Sequence, residues 1–195
     1  MIYIKDNFLD KELWEKLNEE IIDENFTTVD LVDLKIEYHS LPDKWVKFMV
    51  NWLSIIEDAN IENIACFIRK ATDVLDNKWQ IHNDGYIQGQ QPDRACVLYL
   101  SPSTMTELHG TAFWEHVDHG EEYKQLNNIE EYDRLIKEDF NDISKWNLKS
   151  VIGYRQNRLI SYPCNYFHSK YPNKSWKEGR IVLVMFYKSK NSLKI

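Results

Sequence analysis

Residues 180–187 read RIVLVMFY. Every position after the arginine is apolar, so both faces of such a strand must meet other protein as its side chains alternate. The run is far too short to span a bilayer. A strand apolar on both sides belongs in the middle of a sheet, with one face covered by helices. The chain supplies that cover upstream. Residues 2–9 read as a short strand and turn, and Asp10 is placed to cap KELWEKLNEEII, where Leu13, Leu17 and Ile21 repeat at helical spacing after Trp14. A second helix is predicted from Pro42 or Asp43 to Glu57, with Trp45, Phe48, Met49, Trp52 and Ile56 on its apolar side.

From residue 61 the texture becomes β. NIACFIRKA, KWQIH, RACVLYL, GTAFWEH, VIGY and NRLISYP join RIVLVMFY as short runs rich in β-branched and aromatic residues. Residues 118–147 interrupt the series. They are polar and helical, with Asn128 as a cap and Ile129, Tyr132, Ile136 and Phe140 as a stripe. Thirty residues cannot bury their own core, so this is an inserted helical flap and not a second domain. Helices followed by seven or eight strands predict one mainly β (α+β) domain over residues 1–195. Its expected form is a β-sandwich or jelly roll (double-stranded β-helix) backed by N-terminal helices.

Composition narrows the function classes. Hydrophobic residues at 43% and charged residues at 28% are ordinary for a soluble globular chain. Seven Trp and eleven Tyr favour a β-rich core or an aromatic-lined pocket. The net charge of -7 speaks against a nucleic-acid or anionic-membrane partner. MIYIKDNFLDKELW has no apolar signal region. Cys66, Cys96 and Cys164 are odd in number and widely spaced, which suits buried thiols in a reducing compartment better than a disulfide frame or a zinc knuckle. The expected location is cytoplasmic.

The chemistry-bearing stretch is KWQIHNDGYI, residues 78–87. In an extended strand His82 and Asp84 point to one face. His168, in SYPCNYFHSKYP, is placed to complete two imidazoles and a carboxylate, the set that holds iron(II) in oxygenases with positions left open. A rival cluster, EHVDHG at 115–120, offers His116, Asp118 and His119. An isolated His-x-Asp is weak, because this chain has two and a solvated strand end explains either. Arg180 adds weight. It shares a strand face with Val182 and Val184, and a buried guanidinium needs a carboxylate partner. That partner is either structural, with Glu178 nearby in sequence, or a diffusible dicarboxylate gripped by the guanidinium fork.

In order and spacing, IHND, RACVLYLS, HGTAFW, YFHS and EGR resemble the iron(II)- and 2-oxoglutarate-dependent oxygenases, above all their prolyl-hydroxylase-like branch. IKDNFLDKELWEKL resembles that branch's lead-in strand and helix, so the likeness spans about residues 1–117 and 150–188. It implies His82, Asp84 and His168 as iron ligands, Arg180 against the distal carboxylate of 2-oxoglutarate, and Tyr99 hydrogen-bonded to that carboxylate. Fe(II), 2-oxoglutarate and O2 are the implied cofactor and cosubstrates. Asp84 stands where halogenating relatives carry Gly or Ala, which favours hydroxylation with release of succinate and CO2. Three positions depart from the pattern: Ser101 replaces an Asn, His109 replaces the first of two glycines, and Val182 stands where many relatives have a serine.

The EHVDHG cluster lies where a strand gives way to a polar insert with no inward arginine after it, so it is expected to trap at most a stray ion. Arg94, Tyr86 and Trp114 are expected to rim the barrel mouth together with the insert, which would act as a mobile lid. The expected substrate is a peptide or protein side chain or a small metabolite. The alternative of a different class is a catalytically idle, cupin-like jelly roll that binds a ligand or partner. Metal content with and without added iron separates the two.

Overall fold

The RIVLVMFY run is the central strand of a seven-stranded antiparallel sheet in the computed structural model, which describes residues 1–21, 26–31, 34–74, 76–101, 109–123, 129–177 and 179–191. In chain order the elements are β1 (Tyr3–Lys5), α1 (Lys11–Glu20), β2 (Thr27–Leu31), β3 (Leu34–Ser40), α2 (Asp43–Glu57), β4 (Ala59–Ala71), β5 (Arg94–Tyr99) and β6 (Gly110–His116). Then follow α3 (Ile129–Arg134), β7 (Trp146–Gly153), β8 (Leu159–Pro163), β9 (His168–Tyr171) and β10 (Arg180–Asn191). The large sheet runs β1-β8-β5-β10-β4-β3-β2, and a small sheet, β7-β6-β9, faces it. This is the expected jelly roll.

Strand parity divides the core. Leu183, Met185 and Tyr187 of β10, with Cys96 and Leu98 of β5, face the helices and pack with Leu17 of α1 and Trp45, Met49 and Leu53 of α2. Val182, Val184 and Phe186 face the other way, with Val97, Tyr99, Ile160 and Phe113, and line the barrel interior. Asp10 caps α1 by accepting from the Leu13 N–H at 2.9 Å. Gly110 starts β6 where a Cβ would fall on the Ile152 carbonyl. No helix among the described residues is long and apolar enough to cross a membrane.

Three expectations change. A hairpin, β2–β3, stands between the two helices and extends the large sheet. KWQIH is not a strand: only His82 bridges, to His168, because Gln80 turns into the left-handed region at φ 50°. The 118–147 segment is also no loose flap. Past α3 it forms a π-helical turn at Leu135–Asp139 and a short 3-10 turn at Ile143–Lys145, and β7 already begins at Trp146. Leu135 is fully buried, and Tyr132 and Trp146 are nearly so. Leu135 and Trp146 pack with Ile81, Ala112, Trp114 and Phe167 in a third core. The expected cap Asn128 and the side chains of Ile129 and Ile136 lie outside the described residues.

Candidate metal centre and anion pocket

Two short backbone bonds bring the histidines together: the His82 N–H donates to the His168 carbonyl at 3.0 Å, and the His168 N–H donates to the His82 carbonyl at 2.7 Å. Asp84 is fixed in turn by its N–H donating to Cys164 O at 2.8 Å. The insert buttresses the same segment. Gln80 N–H donates to Asn141 Oδ1 at 2.9 Å, Ile81 N–H to Phe140 O at 2.8 Å, and the Tyr132 hydroxyl to Asn83 O at 3.2 Å. These bonds tie the described part of the insert to the segment that carries His82.

His82, Asp84 and His168 offer ligand atoms that all lie within 4.8 Å of one another. Each imidazole uses Nδ1 on a backbone carbonyl, His82 on Gln80 O at 2.6 Å and His168 on Tyr166 O at 3.0 Å. That leaves both Nε2 lone pairs facing Asp84, at 3.9 Å from Oδ1 and 3.6 Å from Oδ2. Burial, with the neighbouring His168, lowers the His82 pKa to about 4, and burial lowers that of His168 to about 4. Burial raises Asp84 to about 6 against the opposing pull of His82 and Arg69. Its Oδ2 is buried with no hydrogen-bond partner. Two neutral imidazoles and an orphaned carboxylate oxygen suit a divalent first-row metal, and the donor set is that of non-haem iron(II). Tyr162 and Phe113 wall the centre, with ring centroids 4.7 and 6.4 Å from His168.

Arg180 projects onto the same inner face. Its guanidinium carbon lies 5.4 Å over the Tyr99 ring, and its buried Nε has no hydrogen-bond partner among the described residues. Glu178, the structural alternative, lies outside them. The Tyr99 hydroxyl shares a hydrogen bond with Thr111 Oγ1 at 2.8 Å, and its ring stacks on Tyr154 at 4.6 Å.

Two expected rim residues are elsewhere. Arg94 has the parity of Cys96 and Leu98, so it points under the helices and pairs with Glu57 of α2 at 3.0 Å. Trp114 is one position out of phase with Phe113. It is buried in the third core, donating to Ser169 Oγ at 2.9 Å beside Trp79. Tyr86 is exposed, two residues past Asp84. In EHVDHG, His116 is buried with both nitrogens engaged: Nε2 lies 3.2 Å from Asp139 Oδ2, and Nδ1 accepts from the Asp118 N–H at 3.2 Å. His116 therefore ties the insert to β6. Among the described residues, only His82, Asp84 and His168 gather as a metal-ligating group.

Sequence reasoning passed over Arg69, Asp76 and Lys170. Asp76 is buried and takes Lys170 Nζ at 2.6 Å and Arg69 Nη2 at 3.5 Å. Arg69 lies in the apolar run NIACFIRKA and is the same kind of anomaly as Arg180. That signal was available.

No protein-family model matches the sequence, and no curated protein does. Solved structures match in fold. HygX from Streptomyces hygroscopicus, determined with nickel and 2-oxoglutarate bound, is 13% identical, with 96% of this chain and 82% of that one covered at a TM-score of 0.61. The non-heme alpha ketoglutarate dependent carbocyclase SnoK from nogalamycin biosynthesis is 12% identical, with 99% and 83% covered at 0.65. A Pseudomonas putida prolyl-4-hydroxylase is 10% identical, with 96% and 91% covered at 0.56. The chain shares the fold of these oxygenases.

Proposed function

We propose that this chain is an iron(II)- and 2-oxoglutarate-dependent dioxygenase that hydroxylates a small metabolite or a peptide side chain. The observation that carries the reading is the pairing of two unsatisfied groups inside one barrel. The orphaned Asp84 Oδ2 lies between two neutral imidazoles, and the Arg180 Nε on the same inner face has no partner among the described residues. The fold adds support, since HygX carries nickel, 2-oxoglutarate and, in another structure, hygromycin B.

In this reading His82, Asp84 and His168 hold the metal. Asp84, mostly ionised above pH 6, would meet the ion as a carboxylate, and the Gln80 and Tyr166 carbonyls keep both imidazoles turned inward. Arg180 and Tyr99 hold the distal carboxylate of the 2-oxo acid. Phe113 and Tyr162 keep water from the centre. When bound, iron and the 2-oxo acid together supply an oxidant from O2, with succinate and CO2 as by-products.

The test is succinate formation from 2-oxoglutarate by Fe(II)-loaded protein, offered pools of small metabolites and of peptides. His168→Ala should bind no iron and form none. Succinate no higher than in that variant, across all pools, would sink the reading.

A further inference from the structure

Arg69 of β4 stands directly across from Val182 of β10, and Arg180 lies two residues before Val182 on the same face. Diagonal neighbours on one sheet face are within reach of long side chains. Two guanidinium groups therefore stand side by side on an apolar wall, and each keeps a buried Nε with no hydrogen-bond partner among the described residues. Unpaired buried donors of this kind are costly and rarely left without a partner, be it protein, water or ligand.

Asp76 satisfies Arg69 only in part. Its carboxylate sits 2.6 Å from Lys170 Nζ but 3.5 Å from Arg69 Nη2, long for a charge-assisted contact. Arg69, Lys170 and Arg180 carry three positive charges against two negative ones, Asp76 and Asp84, leaving one uncompensated among the described residues. The Val182 side chain has no donor, and the Tyr99 hydroxyl, 2.8 Å from Thr111 Oγ1, has a single proton to give. The residue across the ladder from Val182 is the one with a donor to give.

We propose that Arg69 is a second guanidinium of the cosubstrate pocket and shares with Arg180 the distal carboxylate of 2-oxoglutarate. Asp76 is the internal carboxylate that holds Arg69 in place and competes for it. The inference rests on the dioxygenase reading above and adds a residue to it.

The experiment is calorimetric titration of the full-length, Ni(II)-loaded protein, which does not turn over, with 2-oxoglutarate and with 2-oxobutyrate, which lacks the distal carboxylate. Arg69→Met should bind 2-oxoglutarate about 10- to 100-fold more weakly, the range set by loss of charged hydrogen bonds. Arg69→Lys keeps the charge without the fork and should fall between Met and wild type. Asp76→Asn should bind it more tightly, on the order of threefold, because a competing carboxylate is gone. None of the three should alter 2-oxobutyrate binding by more than about twofold, which a general loosening of the barrel would do. The Arg69→Lys and Asp76→Asn variants carry the test if Arg69→Met does not fold. Wild-type 2-oxoglutarate affinity in the Arg69 variants, with affinity lost in Arg180→Met, overturns this inference and leaves the dioxygenase reading standing. No binding of 2-oxoglutarate by the wild type overturns both.

Discussion

Arg94 and Arg69 sit on the two strands that flank β10, yet on opposite faces of the sheet. Beneath the helices, Arg94 pairs with Glu57 at 3.0 Å, donates to Ser161 Oγ at 2.9 Å and to the Met1 carbonyl, and is backed by the Tyr187 hydroxyl. Inside the barrel, Arg69 and Arg180 each leave an Nε unmatched among the described residues. All three look alike in the sequence: an arginine in an apolar strand. The difference is whether the protein itself completes the hydrogen bonds. A satisfied buried charge is scaffold, and one that the described residues leave unsatisfied is a candidate for a ligand.

That contrast breaks if the two faces respond alike to substitution. The largest effect is expected inside. Arg180→Ala should weaken 2-oxoglutarate binding by about 2–5 kcal/mol, the usual result of removing a desolvated charge partner, while leaving thermal stability and metal content near wild type. Calorimetric titration and metal analysis check it. Arg94→Met should do the reverse. It strands Glu57 under α2, so the unfolding free energy should drop by about 2–4 kcal/mol in urea melts, with 2-oxoglutarate affinity unchanged. A crossed result, Arg94 governing the ligand and Arg180 the stability, would reverse the assignment of the faces.

The smallest effect is a pH dependence confined to the inner face. Burial holds the Asp84 pKa at about 6, whereas His82 and His168 are neutral down to about 4. Above pH 6 the free site is ready for a cation. Below it each incoming ion must displace a proton from Asp84, so apparent metal affinity should fall about tenfold per pH unit between 6 and 4. The same slope should appear in Arg94→Met. A flat profile across that range would mean that Asp84 is ionised throughout.

Much of this was legible in the sequence, and the limits of that reading are physical. RIVLVMFY could be placed because a strand apolar on both faces has one home, and His82, Asp84 and His168, which the fold gathers, stood out by type and order. Parity was harder. Trp114 and Arg94 were assigned to the mouth from their place in the chain, but one step of alternation carried the first into the third core and the second under the helices. Phe113, not its neighbour, faces His168. The β2–β3 hairpin was missed although Thr27, Val29 and Leu31 alternate with period two, as do Leu34, Ile36 and Tyr38. The partnership of Arg69, Asp76 and Lys170 depends on strand register and a loop closure, which no local pattern encodes.

The bonds from the insert to residues 80, 81 and 83 make it a keystone. In an arch the keystone cannot be traded for one of another size, however little of the load seems to rest on it. A designer who wished to retune this barrel by transplanting the corresponding loop from another protein of this fold would be changing the seat of His82 along with the approach to it. On the proposed reading, recognition of a new molecule and retention of the metal would have to be re-optimised together, and the exposed turn around Tyr86 is the freer place to begin.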